Sequence, residues 1–311
     1  AQQAEPQPLF AMDLKRVLTA GVFNFSLAIF AGLIGITQTF GEVLGFDPFE
    51  REFWERALQQ AGPVADYVET HRFGAAVAGL LTLILLGLLT GIVRTLLSDF
   101  RFRLDRTGTG LRRRRGLLTL TDVTIPLRRV QAALIHSGPV RDAFGWRELK
   151  LQSLAADESE KGDHVVAPLA SDAELTPILN EVGWQAPAAE LPLERFDRAY
   201  VWSLLVLLVP LALVGLVQVI ILPLAGLIFL LAVAGTGLFR WLAWRRSGFL
   251  LEGERLLVRT GWWRRRTSLL PLRNIQSIDL NEHFLGRRFG IASLTIGVAG
   301  GRGFSSHGVP A

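Results

Sequence analysis

The chain of 311 residues contains no cysteine, which excludes disulfides and thiolate metal sites. Its five histidines, His71, His136, His164, His283 and His307, lie far apart, and none has a second ligand-type residue at metal-site spacing. No nucleophile–base pair and no paired carboxylates stand out, so a non-catalytic protein without cofactor or metal is expected. Gly300-Gly301-Arg302-Gly303 contains a GxG but lacks the Gly-Lys-Ser/Thr ending of a phosphate loop. His307 beside Ser305-Ser306 has no partner acid in sight and reads as surface loop. Met12 is the only methionine and the chain starts Ala1-Gln2-Gln3, so it reads as part of a longer protein. Charge is also missing from three long windows, which counts against an ion pump or proton-coupled carrier.

Those windows are Val17 to Phe40, Phe73 to Val93 and Ala199 to Phe239, of 24, 21 and 41 residues. A span needs ~20 apolar residues. As one helix the last window would be ~60 Å long, twice the hydrocarbon core, and Pro223 with Gly226 offers a turn inside it. The reading is four spans in two hairpins. Asn24, Ser26, Thr37, Gln38, Thr39 and Gln218, with further Thr and Ser, are the polar residues of these windows, and Gly32, Gly35, Gly79, Gly87 and Gly91 suit close helix packing.

Arginine and lysine are concentrated at the span ends on one side. Lys15-Arg16, Arg94, Arg101, Arg103, Arg195, Arg198, Arg240, Arg245 and Arg246 lie at the four ends, which the positive-inside rule places in the cytoplasm. Loop 41–72, with seven acids and three arginines, is then extracytoplasmic. Within it Phe49, Phe53, Trp54, Ala57 and Leu58 have helical spacing, either an interfacial amphipathic helix or a helix packed on the outer ends of the spans.

The polar parts repeat at an offset of 145 residues: Gly116, Pro126, Gln131 and Gly145 return as Gly261, Pro271, Gln276 and Gly290. A repeat that long is a duplicated module. Each copy reads as strands. In the first these are Phe102 to Asp105, Gly110 to Arg115, Leu117 to Ile125, Leu149 to Ser153 and Val165 to Ala167, followed by an N-capped helix from Asp172. In the second they are Phe249 to Glu252, Arg255 to Arg259, Trp262 to Leu270 and Ser293 to Val298. The two prolines end strands, and the two glutamines are read as buried amides tying neighbouring strands.

On Leu256 to Ala299, with Gly261, Arg264 to Arg266, Pro271, Ile275-Gln276, Gly290 and Leu294, the chain resembles the YdbT-like family of bacterial PH-domain membrane proteins. The resemblance covers both modules. It implies a membrane α plus β fold: four transmembrane helices in two hairpins alternating with two small PH-like β-barrel domains, each normally closed by a C-terminal helix. The expected divisions are linker 1–16, hairpin 17–97, PH-like domain 98–186, linker 187–198, hairpin 199–242 and PH-like domain 243–311. The second closing helix would start near position 316, past Ala311. Pro8-Leu9 and Asp13 echo Pro192-Leu193 and Asp197 at offset 184, from which a further such domain before residue 1 is inferred.

Arg112, Arg113, Arg114 and Arg115, then Trp262, Trp263, Arg264, Arg265 and Arg266, are the candidate contacts. One reading is a face meeting anionic headgroups, with the tryptophans at headgroup level; the other is a solvated face whose arginines pair with Asp105, Asp122 or Glu254. Four arginines in series cannot all face one way on a strand. The resemblance implies a bacterial plasma-membrane scaffold for envelope maintenance or stress resistance. Its implied partners are membrane lipids, a smaller membrane protein with one PH-like domain, or a second copy, and no nucleic acid. A transporter or channel component is the alternative.

Overall fold

The computed structural model describes residues 7–24, 70–154, 162–188, 191–299 and 303–310. Strand β1 (Phe10–Ala11) and helices α1 (Leu14–Phe23) and α2 (Arg72–Asp99) come first. The first module follows: β2 (Arg103–Arg106), β3 (Gly110–Arg115), β4 (Thr121–Pro126), β5 (Val130–Ser137), α3 (Pro139–Ala143), β6 (Arg147–Ser153), β7 (Asp163–Ala170) and α4 (Asp172–Glu181). Then come α5 (Ala199–Ile221) and α6 (Pro223–Arg246), and the second module: β8 (Gly248–Glu252), β9 (Arg255–Thr260), β10 (Arg265–Pro271), β11 (Ile275–Asn281), α7 (Phe284–Phe289), β12 (Ile291–Val298) and β13 (Phe304–Pro310).

Three helices among the described residues are long and apolar enough to cross a membrane: Val77–Asp99, Ala199–Ile221 and Pro223–Arg246. These are the last three of the four expected spans; the remaining one, from Val17 to Phe40, falls mostly outside the described residues. The window from Val17 is described only as far as Asn24, and loop 41–69 with its amphipathic segment lies outside the described residues. The hairpin turn falls at Pro223, which opens α6 in its first turn, where a missing N–H costs nothing. At Gly226 a Cβ would sit 2.3 Å from the Val219 nitrogen, so only glycine lets the two helices approach this closely. Between α1 and α2, Gly21 meets the Ile92 Cα and Gly91 meets the Asn24 carbonyl oxygen at 2.6 and 2.7 Å from a built Cβ. Asn24 Nδ2 then donates to Thr95 Oγ1 at 3.1 Å, which satisfies a polar group in the span.

The strands form three sheets, ordered β1-β2-β3-β4, β7-β6-β5-β10-β9-β8 and β11-β12-β13. Among the described strands no sheet closes on itself, so the two closed β-barrels that were expected are not shown. The reason is the central pairing. β5 of the first module runs antiparallel to β10 of the second, from Arg265↔Ser137 to Leu269↔Ala133, so half of each module belongs to one shared sheet. Neither strand has an edge left with which to close its own module. In both modules the chain leaves one sheet and enters the next at a proline followed by a single 3-10 turn, Leu127–Arg129 and Leu272–Asn274.

β5 was not legible as a strand, yet it contributes to the core of the other module. Ala132 and Leu134 pack with Val258, Leu270, Ile296, Val298 and Phe304 of the second module and with Phe196. Burying Leu134 there contributes about 1.5–3 kcal/mol. The helix expected from Asp172 is α4, and its cap is Ser171, whose N–H donates to Glu174 at 2.8 Å in a capping box. Leu175, Ile178 and Leu179 are its buried face.

The chain divides into two compact units. One is Ala11–Arg103 with Arg114–Asp122; the other is Ala1–Phe10, Leu104–Arg113 and Val123–Ala311.

Candidate membrane-facing site

Each module has a hairpin tip that begins at a glycine which cannot be replaced without strain. Gly116 has φ +120°, and a Cβ there would lie 2.0 Å from the Thr119 carbonyl oxygen. The tip is fastened to the end of α2: Gly116 N–H donates to Phe100 O and Leu117 N–H to Leu97 O, both at 3.0 Å. Arg115 Nη1 adds a 3.0 Å ion pair to Asp99. Beyond these ties Leu118 and Leu120 are 82% and 70% exposed. Leucines held in the open at the end of an apolar helix suit a lipid interface better than water.

The second tip starts at Gly261, φ +84°, whose N–H donates to Ser247 Oγ at 3.2 Å. Trp262 packs edge-on against Phe239 of α6, ring centroids 5.7 Å apart, and Trp263 lies 5.8 Å from Trp262. Trp263 is 54% exposed, and Arg264 beside it is exposed too.

Alternation along the strands scatters the arginine runs. Arg112 is half-buried, and Arg113 is 1% exposed with its Nη1 donating to Val165 O at 3.1 Å. Arg114 pairs with Asp122 at 2.9 Å on the surface. In the second run Arg265 meets Asp142 at 2.7 Å and donates from Nε to Ser137 Oγ at 3.0 Å, and the Arg266 guanidinium lies over the Phe304 ring. The nine candidates therefore do not form one basic face. Trp263 and Arg264 remain open at the second tip, and Arg114 is exposed but paired.

A charged seam lies where β5 meets β10. Asp142 is shared by Arg265 and Arg147, and Arg147 also reaches Asp172 at 3.3 Å. Arg259 donates to Thr267 Oγ1 at 3.3 Å. Burial and then the neighbouring Arg265 lower the pKa of Arg259; burial lowers that of Arg265, opposed by Asp142. Both remain cations, because arginine starts so far above neutrality.

Pro126 and Pro271 sit at the sheet-to-sheet corners with φ −66° and −61°. Gly145 and Gly290, after α3 and α7, have φ +68° and +66°. The glutamines do not tie strands together. Gln131 Nε2 reaches only Arg129 O, and Gln276 is exposed; Asn274 Nδ2 makes the cross-module bond instead, to Gln131 O at 3.0 Å. His307 lies on β13 beside Tyr200, not in a loop. Among the described residues no group of three or more histidines and acids could hold a metal. Residues 117–120 and Asp142 were not foreseen. The apolar run Leu117-Leu118 after Gly116 was the available signal for the first, whereas nothing local marks Asp142 as a partner of β10.

The bacterial PH domain family model matches residues 59–182 and 204–311. The UPF0699 transmembrane protein YdbT of Bacillus subtilis (strain 168) is 24% identical over 189 residues, which cover 56% of this chain and 36% of that protein. The chain thus spans little more than a third of the relative's length. No solved structure matches.

Proposed function

Because the chain belongs to the bacterial PH domain family, we propose that it is a non-catalytic membrane scaffold whose two PH modules stand on the cytoplasmic side and touch anionic headgroups through their hairpin tips. The observation that carries this reading is the fastening of both tips to the ends of apolar helices, by Leu117 N–H to Leu97 O in one and by Trp262 on Phe239 in the other. A tip tied to a helix end lies at the depth where that helix leaves the bilayer. Leucine and tryptophan are suited to that depth. The arginines at the helix ends, Arg245 and Arg246 in the last turn of α6 among them, support the cytoplasmic side. The shared sheet supports a scaffold role, since it couples two modules without using their tips.

The absence of cysteine makes the test direct. Leu118→Cys and Trp263→Cys each give a unique spin-label site in the whole chain, reconstituted in bilayers with and without phosphatidylglycerol. Greater collision with oxygen than with a water-soluble nickel chelate at both sites is the expected result. Greater collision with the chelate at both sites would overturn the reading.

A further inference from the structure

A cleft of about 790 Å³ lies between α2 and the first hairpin tip, within the roughly 300–1,000 Å³ range of ligand clefts. Its lining changes character along the helix. Leu86, Leu89 and Val93 line it toward the middle of the span, whereas Arg94, Ser98 and Arg115 line it toward the helix end and the tip. The helical stretch from Leu86 to Ser98 is ~18 Å long, so one end of the cleft is apolar and the other basic. Arg115 is balanced by Asp99 at 3.0 Å. Arg94 makes no ion pair among the described residues and is exposed on the cleft wall.

The repeat supplies a comparison inside the same chain. At offset 145, Arg94 and Leu117 correspond to Phe239 and Trp262, whose rings pack against each other at 5.7 Å. Two aromatic rings fill in the second module the place that stays open, and carries a cation, in the first.

We propose that this cleft holds one anionic phospholipid, with an acyl chain along Leu86, Leu89 and Val93 and the phosphate at Arg94. The inference rests on the reading of the hairpin tips as membrane-facing. An acyl chain matches the apolar end, and a single phosphate matches Arg94, which has no carboxylate partner among the described residues. The tip residues Leu118 and Thr119 form the opposite wall.

The test uses the whole purified chain, delipidated in detergent, titrated with phosphatidylglycerol or phosphatidylcholine and read by native mass spectrometry. The wild-type chain is expected to retain one phosphatidylglycerol in preference to phosphatidylcholine. Arg94→Gln should weaken that retention about fivefold, and Leu89→Trp, which fills the cleft, should remove it with an unchanged melting temperature. Equal retention of the two lipids, or retention by the Leu89→Trp variant as in wild type, would sink the proposal. Should Leu89→Trp fail to fold, Arg94→Gln alone decides, since an exposed arginine is not needed for folding. The spin label at Trp263→Cys, which lies outside the cleft, separates the two ideas. A label in lipid without bound phosphatidylglycerol removes only the cleft, and a label in water removes the reading of the tips.

Discussion

Arg265 on β10 and Asp142 on α3 form a 2.7 Å ion pair that joins the two modules of one chain. Neither residue is repeated: at offset 145 Asp142 corresponds to Arg287 and Arg265 to Leu120. The duplicated scaffold thus acquired a bond that holds one copy to the other, beside the β5–β10 pairing.

Breaking that bond from one side should cost more than removing both ends. Asp142→Asn leaves Arg265 and Arg147 close together without their shared carboxylate, and a loss of about 1–3 kcal/mol in unfolding free energy is expected. Asp142→Leu combined with Arg265→Leu should lose less than the sum of the single changes. Thermal melts of the four proteins in one detergent check this; strict additivity would show that the pair is not coupled.

Substitution at the tip glycines should be costly out of proportion to size. Gly116→Ala places a Cβ 2.0 Å from Thr119 O at φ +120°, and more than ~1 kcal/mol of destabilisation is expected. Gly145→Ala, at φ +68° with open space around it, carries the backbone strain without the clash. Its smaller loss in the same melt would separate the two causes.

Acid should weaken the seam through His136. Burial pushes its pKa down to about 4, with Glu148 opposing and Lys150, Arg266 and Arg141 adding to the shift. A histidine lowered in the folded state takes up protons more readily when unfolded. Stability is therefore full above the unfolded value near 6.5 and declines as pH falls from there toward 4. His136→Gln should flatten that part of the stability profile. An equally steep decline in the variant would assign the acid sensitivity to other groups.

The helical hairpin should depend on one small residue. Gly226→Leu drives a side chain into the Val219 backbone, 2.3 Å from its nitrogen, and should separate α5 from α6. Crosslinking between cysteines introduced at Gly215 and Leu230, which touch in the structure, should be lost in that variant and kept in Gly235→Leu, where nothing lies within 4 Å.

The apolar helices were legible because a membrane span is a local property, set by some 20 uncharged residues in a row. The turn at Pro223 was legible for the same reason. The capped helix α4 was seen with its start at Asp172, and Ser171 just before it closes the capping box with Glu174. β5 and β11 were missed as strands. Val130-Gln131-Ala132-Ala133-Leu134-Ile135 is apolar on both faces, and its repeat Ile275-Gln276-Ser277-Ile278-Asp279-Leu280 is polar on one, so no single period described both. Only the neighbours explain the difference: β5 lies between β6 and β10, while β11 pairs with β12 alone among the described strands.

Local chemistry in this chain was enough to specify which helices are long and apolar enough to cross a bilayer, where the modules repeat, and which glycines and prolines turn the backbone. Those features depend on composition and on neighbours a few residues away. The joining of the modules was decided at long range. A strand edge carries no mark of which other edge it will meet, so the meeting of Ser137 with Arg265, 128 residues on, emerges only from folding. The arginine runs show the same division. Their charge was plain in the chain, but folding sent Arg113 inside, Arg265 to Asp142 and Arg264 into solvent, because a strand turns successive side chains to opposite faces and each face meets a different neighbour.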